Sequence, residues 1–361
     1  MYTQLPNDAL RETANLSQIY PSFITMRRQI DNYAGGMSWK TVNGRDYLIR
    51  THNRSSIQKS LGPRSEKTEA KFAEFHRGKE DAEQRFSEMV GTIDRYAAIA
   101  KALSVGSIPI EAANILRALD RRGLLGGNLA VAGTHSLYAY EALAGVRFRR
   151  EIMQTDDLDL FWDARTRLRL RYWGDNEPSI RRTLLEADKS FQQVENMPYR
   201  LIGRSGFLVD LIKNEGDPPW TDKDSMSPGD IPAAPISTMR WIANAPKVVP
   251  VTIDLDGYPT RIAAADPRAF ALFKLWLSEQ PDRDPVKRPR DRAQALAVAA
   301  LVRDKLRHLA FTPDQLKMFP AEVVEATRRI QGFWRVDTTD DSPLPAPKSK
   351  KRRRSRGFSR R

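Results

Sequence analysis

Asp157 and Asp159 stand two residues apart in the run Ile152-Met153-Gln154-Thr155-Asp156-Asp157-Leu158-Asp159-Leu160-Phe161. In a strand, side chains two apart share a face, so both carboxylates point one way and Leu158 and Leu160 point the other, into a core. Neighbouring carboxylates repel each other, and a cation between them relieves the cost. A hard divalent ion such as Mg²⁺ takes oxygen ligands of this kind and carries substrate phosphates. The spacing points to half of a metal site for phosphoryl or nucleotidyl chemistry. Asp156 falls on the opposite strand face and stays outside the pair.

Two further segments belong with this run. Upstream, Asn128-Leu129-Ala130-Val131-Ala132-Gly133-Thr134-His135-Ser136 is an apolar strand that stops at a glycine and a hydroxyl residue, with a helix expected over Leu137–Leu143. Gly133 lets backbone approach a phosphate closely, and Thr134 offers a hydroxyl at the helix start. His135 beside them reads as structural. Downstream, Gly206-Phe207-Leu208-Val209-Asp210-Leu211-Ile212 is a strand with a lone aspartate at its centre. An aspartate there is unfavourable by propensity and burial, so it needs a partner.

Gly-Thr, then Asp-x-Asp, then a third strand aspartate resembles the polymerase-β-like nucleotidyltransferase superfamily. Within it, the chain is similar to the bacterial nucleotidyltransferase family whose signature reads Gly-Thr-x-x-x-x-x-Tyr, then Thr-x-Asp-x-Asp-Leu. The matching residues are Gly133, Thr134, Tyr140, Thr155, Asp157, Asp159 and Leu160, and the likeness extends to 267–274 and 287–294. It covers roughly residues 85 to 310. Many superfamily members carry Gly-Ser or Gly-Gly where this chain has Gly-Thr. The interval from Gly133 to Asp157 is also longer than in minimal members, with room for an extra turn or strand over Val146–Arg150.

The resemblance implies an α+β fold with a mixed sheet. It implies transfer of a nucleoside monophosphate from an NTP such as ATP to a hydroxyl acceptor with release of pyrophosphate, a reaction of the EC 2.7.7 type. The acceptor is RNA, protein or a small molecule. The cofactor expected is Mg²⁺ or Mn²⁺. Asp157 and Asp159 would hold the ion that binds the triphosphate, and with Asp210 a second ion that acidifies the acceptor hydroxyl, with Asp210 near enough to act as base. Gly133, Thr134 and Lys274 are the expected nucleotide-binding residues. Lys274 sits among Phe270, Phe273 and Trp276, so its stem runs along an apolar face. In the mixed-charge run Lys287–Arg292, Asp291 is expected to partner a basic residue. The alternative function is a nucleic-acid-binding regulator, or a toxin-like module, whose core is inactive or conditionally active. Intact Asp157, Asp159 and Asp210 argue against an inactive core.

The elements that must position these residues fall into four segments. Residues 1–84 are N-terminal helix plus a small sheet, 85–265 the nucleotidyltransferase core, 266–336 a helical domain and 337–361 a disordered Pro-rich and basic tail. Residues 1–34 read as helical, and Asn43-Gly44 between two strand-like runs signals a hairpin over 37–50, joined by a third strand over Ser56–Leu61. Such a sheet resembles the small nucleic-acid-binding sheets of integrase N-termini, and it equally suits a structural add-on. A long helix or a pair is expected over 66–104, and helices over 108–122, 180–186, 266–278, 291–309 and 320–332. Strands are expected over Leu168–Tyr172 and Tyr199–Ile202, a loop over 214–236, and a late hairpin of Val248–Leu255 with Tyr258–Ala263 around Asp256-Gly257.

Composition sets the outer limits. The 361 residues are 40% hydrophobic, enough for real cores, and contain no cysteine, which rules out disulfides and thiolate chemistry. No pair among the four histidines has zinc-ligand spacing. The polar start, Met1–Ala14, lacks a signal-peptide apolar stretch, and the absence of a run of about 18 apolar residues argues against a membrane span, so a cytoplasmic location is expected. Net charge is +14, but the tail Lys348–Arg361 holds nine basic residues and no acid, leaving +5 for the rest. A tail of that kind suits contact with RNA or another polyanion, or simple solvation.

Overall fold

In the computed structural model, residues 1–52, 57–164, 179–215, 224–312, 316–317 and 319–328 are described. They divide into two compact units, Met1–Pro267 and Arg268–Arg361.

In the first unit the Asp-x-Asp run becomes the strand that its alternation predicts. β7 (Asp157–Trp162) buries Leu158 and Leu160 completely and leaves Asp157 and Asp159 half-buried on the other face. It lies between β5 (Leu129–Val131), antiparallel, and β10 (Leu208–Asn214), parallel. Outside β10 follow β9 (Met197–Ile202) and then β8 (Gln192–Val194), both antiparallel. Outside β5 follow β15 (Ala264–Ala265) and β12 (Lys247–Val248). With β11 (Ala234–Ile236) parallel to the far end of β10, these strands make one mixed sheet of eight. An α+β fold with a mixed sheet is therefore what the chain adopts.

The helix after β5, α4 (Ser136–Ala144), is buried over Ser136–Glu141. Its Tyr140 is fully buried and donates its hydroxyl to the Ala265 carbonyl, 2.9 Å, which ties the helix to the sheet. Burial pushes that hydroxyl's pKa well above its usual value. The motif tyrosine thus acts as a strut. The extra strand expected after α4 is β6 (Val146–Phe148), and it pairs antiparallel with β1 (Tyr2–Gln4), the strand preceding α1 (Asn7–Asn32). The expectation of helix from the first residue is corrected there.

The hairpin forms as read: β2 (Gly36–Val42) and β3 (Arg45–His52) pair antiparallel, and β4 (Ile57–Pro63) joins β3. Asn43 and Gly44 have φ of 51° and 75°, the left-handed pair that a two-residue turn needs and that these two residue types tolerate best. α2 (Glu66–Ala102) is one continuous helix of 37 residues, opened by a capping box between Ser65 and Thr68. α1 runs along it through the Phe23–Phe86 and Tyr33–Phe75 ring pairs. α3 (Ile110–Arg121) packs against α6 (Ile180–Ala187), and the short α5 (Arg150–Met153) leads into β7.

Two expectations change further along. The stretch 214–236 was expected to be loop, yet Ala234–Ile236 is a strand, because β10 is longer than β9 and leaves backbone groups at Ile212–Asn214 to be paired. The late hairpin is shorter than expected: β13 (Val251–Ile253) pairs with β14 (Pro259–Arg261), while the flanking residues leave to join the main sheet as β12 and β15. The expected strand Leu168–Tyr172 and the tail Lys348–Arg361 lie outside the described residues. In the second unit, α8 (Pro267–Ser278), α9 (Arg288–Lys305) and α10 (Ala321–Arg328) follow the three helical readings, with a 3-10 turn Arg307–Leu309 where the second was expected to continue. Among the described residues, no helix is long and apolar enough to cross a membrane.

Candidate active site

Asp159 and Asp210 are directly paired in the parallel β7–β10 ladder, with Asp157 opposite Leu208 at its start. Paired residues in a parallel ladder share a face, so all three carboxylates lie on one side of the sheet. The register is pinned at its entry by the Leu208 amide, which donates to the Asp156 carbonyl at 2.9 Å.

The Gly133 turn closes over the same face. The ladder of β5 and β7 runs one residue past the strand, where the Ala132 amide donates to the Asp159 carbonyl at 2.9 Å. The chain then turns through Gly133 with φ of 61°. A methyl group on Gly133 would collide with Oδ2 of Asp159. Glycine is needed twice over here, for the left-handed backbone and for the contact with the carboxylate. The Ser136 hydroxyl donates to the Val131 carbonyl at 3.1 Å and fastens the turn to the first residue of α4. Thr134 is buried within it.

His135 is fully buried, 5.6 Å from the Tyr138 ring and 6.0 Å from the Phe207 ring, measured between centroids. Neither ring nitrogen meets a partner in good hydrogen-bond geometry. Burial pushes its pKa down to about 4, and the negative charge and backbone of Asp157 only partly oppose this. A neutral imidazole wedged behind Asp157 fits the structural role read for it. Asp157 itself accepts a hydrogen bond from the Thr155 hydroxyl, which gives the motif threonine a task.

Asp210 is nearly buried and faces Arg200 across the β9–β10 ladder. Arg200 grips it with both arms of its fork, Nε to Oδ1 at 2.7 Å and Nη2 to Oδ2 at 2.6 Å. The bond to Asp210 raises the arginine's pKa above its ordinary value. Sequence reasoning missed Arg200, although the demand for a partner to Asp210 was legible. Finding it requires the β9–β10 register, and the only sequence signal is a strand-like alternation in Tyr199-Arg200-Leu201-Ile202.

Lys274 belongs to the second unit. Its ammonium is buried and bonds Oδ1 of Asp291 at 2.6 Å, while Arg283 takes Oδ2 at 2.7 Å. The first unit thus brings together Gly133, Thr134, Asp157, Asp159 and Asp210, whereas Lys274 is engaged with Asp291.

The donor set suits a hard divalent ion in one specific way. Mg²⁺ is usually bound through one or two carboxylates plus substrate phosphates and waters, not in an all-protein cage. Asp157 and Asp159 are such a pair, half-exposed and beside a glycine turn. Among the described residues, no group of three or more His, Asp or Glu is arranged to hold a metal ion. Arg200 occupies one acceptor site on each oxygen of Asp210, so its cation competes with a metal for the third carboxylate.

A family model described as nucleotidyltransferase matches residues 111–318, more than half of the chain. The chain belongs to the nucleotidyltransferase family. The match takes in the Gly133 turn, β7, β9 and β10, so the carboxylate face lies inside the family's domain, and general nucleotidyl transfer is the chemistry that it supports. No curated protein and no solved structure matches this nucleotidyltransferase.

Proposed function

We propose that this nucleotidyltransferase is a Mg²⁺- or Mn²⁺-dependent enzyme with a polymerase-β-like core that moves a nucleoside monophosphate from an NTP to a hydroxyl acceptor. The observation that carries it is the pairing of Asp159 with Asp210 on one sheet face, with the Gly133 turn pressed against the Asp159 carboxylate. Asp157 and Asp159 would hold the divalent ion, which supplies charge neutralisation for the triphosphate and the leaving pyrophosphate. Gly133 would let the backbone approach phosphate oxygens, and Thr134 would offer its hydroxyl there. The acceptor oxygen forms a bond to the α-phosphorus, and the bond from that phosphorus to the β-phosphate bridging oxygen breaks. The acceptor's proton passes to Asp210 once Arg200 gives up one of its two contacts. An arginine nitrogen released in that way is then able to bind a phosphate oxygen.

The two-armed Arg200–Asp210 bridge is the specific observation that favours the other option, an inactive core serving as a nucleic-acid-binding module. Incubating the protein with each α-labelled NTP, Mg²⁺ or Mn²⁺ and cellular RNA, protein or small-molecule fractions separates the two. Label transfer that disappears in Asp157→Asn and Asp159→Asn is expected. No transfer under any combination, with NTP binding intact, would establish the inactive core instead.

A further inference from the structure

The sheet β2–β3–β4 has two very different faces. One is sealed on α2. Leu48 is fully buried there, and Trp39 packs on Phe72 with centroids 5.8 Å apart. Arg50 is committed to the same side: it donates to the carbonyls of Gly36, Asn32, Ala34 and Thr51 at 2.6–3.2 Å, and its guanidinium lies 4.5 Å from the Phe75 ring.

The other face is uncovered among the described residues. Lys40 and Tyr47 are cross-strand partners on it, Val42 pairs with Arg45, and Ile49 pairs with Ser60. Together they line a shallow concavity of about 650 Å³. Among the described residues, no carboxylate lines it. Residues 36–63 hold five basic residues and one acid, most of the +5 that the chain keeps outside its tail. That single acid, Asp46, is engaged elsewhere, by the Thr41 hydroxyl at 2.6 Å and Arg64 at 3.3 Å. The surface therefore joins two cations to a floor of Tyr47, Val42 and Ile49.

We infer that this face binds single-stranded nucleic acid, with a base against Tyr47 and phosphates on Lys40 and Arg45. Cations alone would suit any polyanion. An aromatic and aliphatic floor between them suits a strand whose base faces are open, because stacking on an aromatic side chain accepts any base. In a duplex those faces are hidden in the stack. RNA and DNA single strands offer the same chemistry, so they are sources for the test to tell apart. The inference is independent of the transfer chemistry, since strand binding needs neither NTP nor metal.

The test is fluorescence anisotropy with the full-length chain, labelled oligo-U and oligo-dT of about twelve nucleotides, a duplex of equal length and poly-glutamate as competitor. The basic tail is present in every variant, so differences report the sheet. Tyr47→Ala is expected to weaken single-strand binding about tenfold or more, and Tyr47→Phe to retain it. The double variant Lys40→Gln/Arg45→Gln is expected to flatten the slope of log affinity against log salt by about 1.4, from about 0.7 per phosphate contact on a single strand. Both cations sit on the open face, so this variant serves even where Tyr47→Ala disturbs folding. Preference between oligo-U and oligo-dT names the source. Unchanged binding in both the double variant and a folded Tyr47→Ala would overturn the inference. So would tighter binding to duplex, or equal competition by poly-glutamate.

Discussion

At the candidate site three carboxylates, Asp157, Asp159 and Asp210, share a sheet face with Arg200, whereas in the second unit one carboxylate, Asp291, takes both Lys274 and Arg283. The first grouping is rich in negative charge and half-exposed where Asp157 and Asp159 lie. The second is rich in positive charge around a fully buried acid. A fold keeps surplus like charge together only where something else supplies the compensation. Around Asp291 the compensation is internal, and the cluster holds helices α8 and α9 together. At Asp157 and Asp159 the proposed divalent ion would add to it.

Substitution should expose that difference. Asp159→Asn or Asp157→Asn is expected to lower kcat/KM for nucleotide transfer by about 1,000-fold or more, about 4 kcal/mol in the barrier, while leaving the melting temperature unchanged or slightly higher as repulsion is relieved. Transfer at the wild-type rate in either variant would remove these residues from the site. Asp291→Ala should do the reverse. It strands two cations beside a buried position and is expected to cost about 3–5 kcal/mol of stability in urea unfolding. An Asp291→Ala protein as stable as wild type would show that the second cluster is not a structural pair.

Glu141 gives the control, an acid buried inside the core domain beside its own arginine. Its Oε1 accepts from the Phe148 amide at 2.7 Å, and Arg147 stands 3.6 Å from Oε2. Burial outweighs both and pushes its pKa up to about 7. A folded-state pKa above the unfolded value makes the native state bind the extra proton. Stability is then favoured below about pH 4.5 and declines as pH rises through 7, by at most about 3 kcal/mol. Glu141→Gln should flatten that dependence, as followed by urea midpoints across the window.

Gly133→Ala combines a left-handed backbone with a clash against Asp159. A loss of about 1–2 kcal/mol in stability is expected, with a larger fall in transfer than in folding. An alanine variant with full activity would mean that the turn does not set the carboxylate's position. The smallest change is expected for Arg200→Gln. If Arg200 competes with a divalent ion for Asp210, calorimetry should show Mn²⁺ binding tightened, by up to about tenfold, or 1.4 kcal/mol. Weaker binding would assign Arg200 to support of the site.

What the sequence made legible was local. The alternation of Asp157 to Leu160 told which side chains are buried, though not that Phe161, on the carboxylate face, is buried too, and Asn43-Gly44 set a turn by backbone conformation alone. Asp210 announced its need for a partner because a strand interior penalises an isolated charge. The partner's identity was not legible, since Arg200 meets Asp210 only through the pairing of two strands. The same holds for β1 on β6, and for β11, whose three residues have no pattern of their own and are ordered by the exposed end of β10. Lys274 shows the limit in the other direction. An apolar neighbourhood signals burial of a lysine, and a buried ammonium needs an anion, but the sequence leaves open whether that anion is a nucleotide or Asp291.

The unbroken length of α2 has a geometric consequence. The small sheet packs on it near Phe72 and Phe75, while Ile93, Ala97 and Ala100 are buried near its other end. At about 1.5 Å per residue, the span from Phe72 to Ala97 is about 37 Å. The helix therefore works as a strut whose own backbone bonds set the distance between the small sheet and the residues buried at its other end, so a change of length in its exposed middle would move the sheet without touching either packing surface.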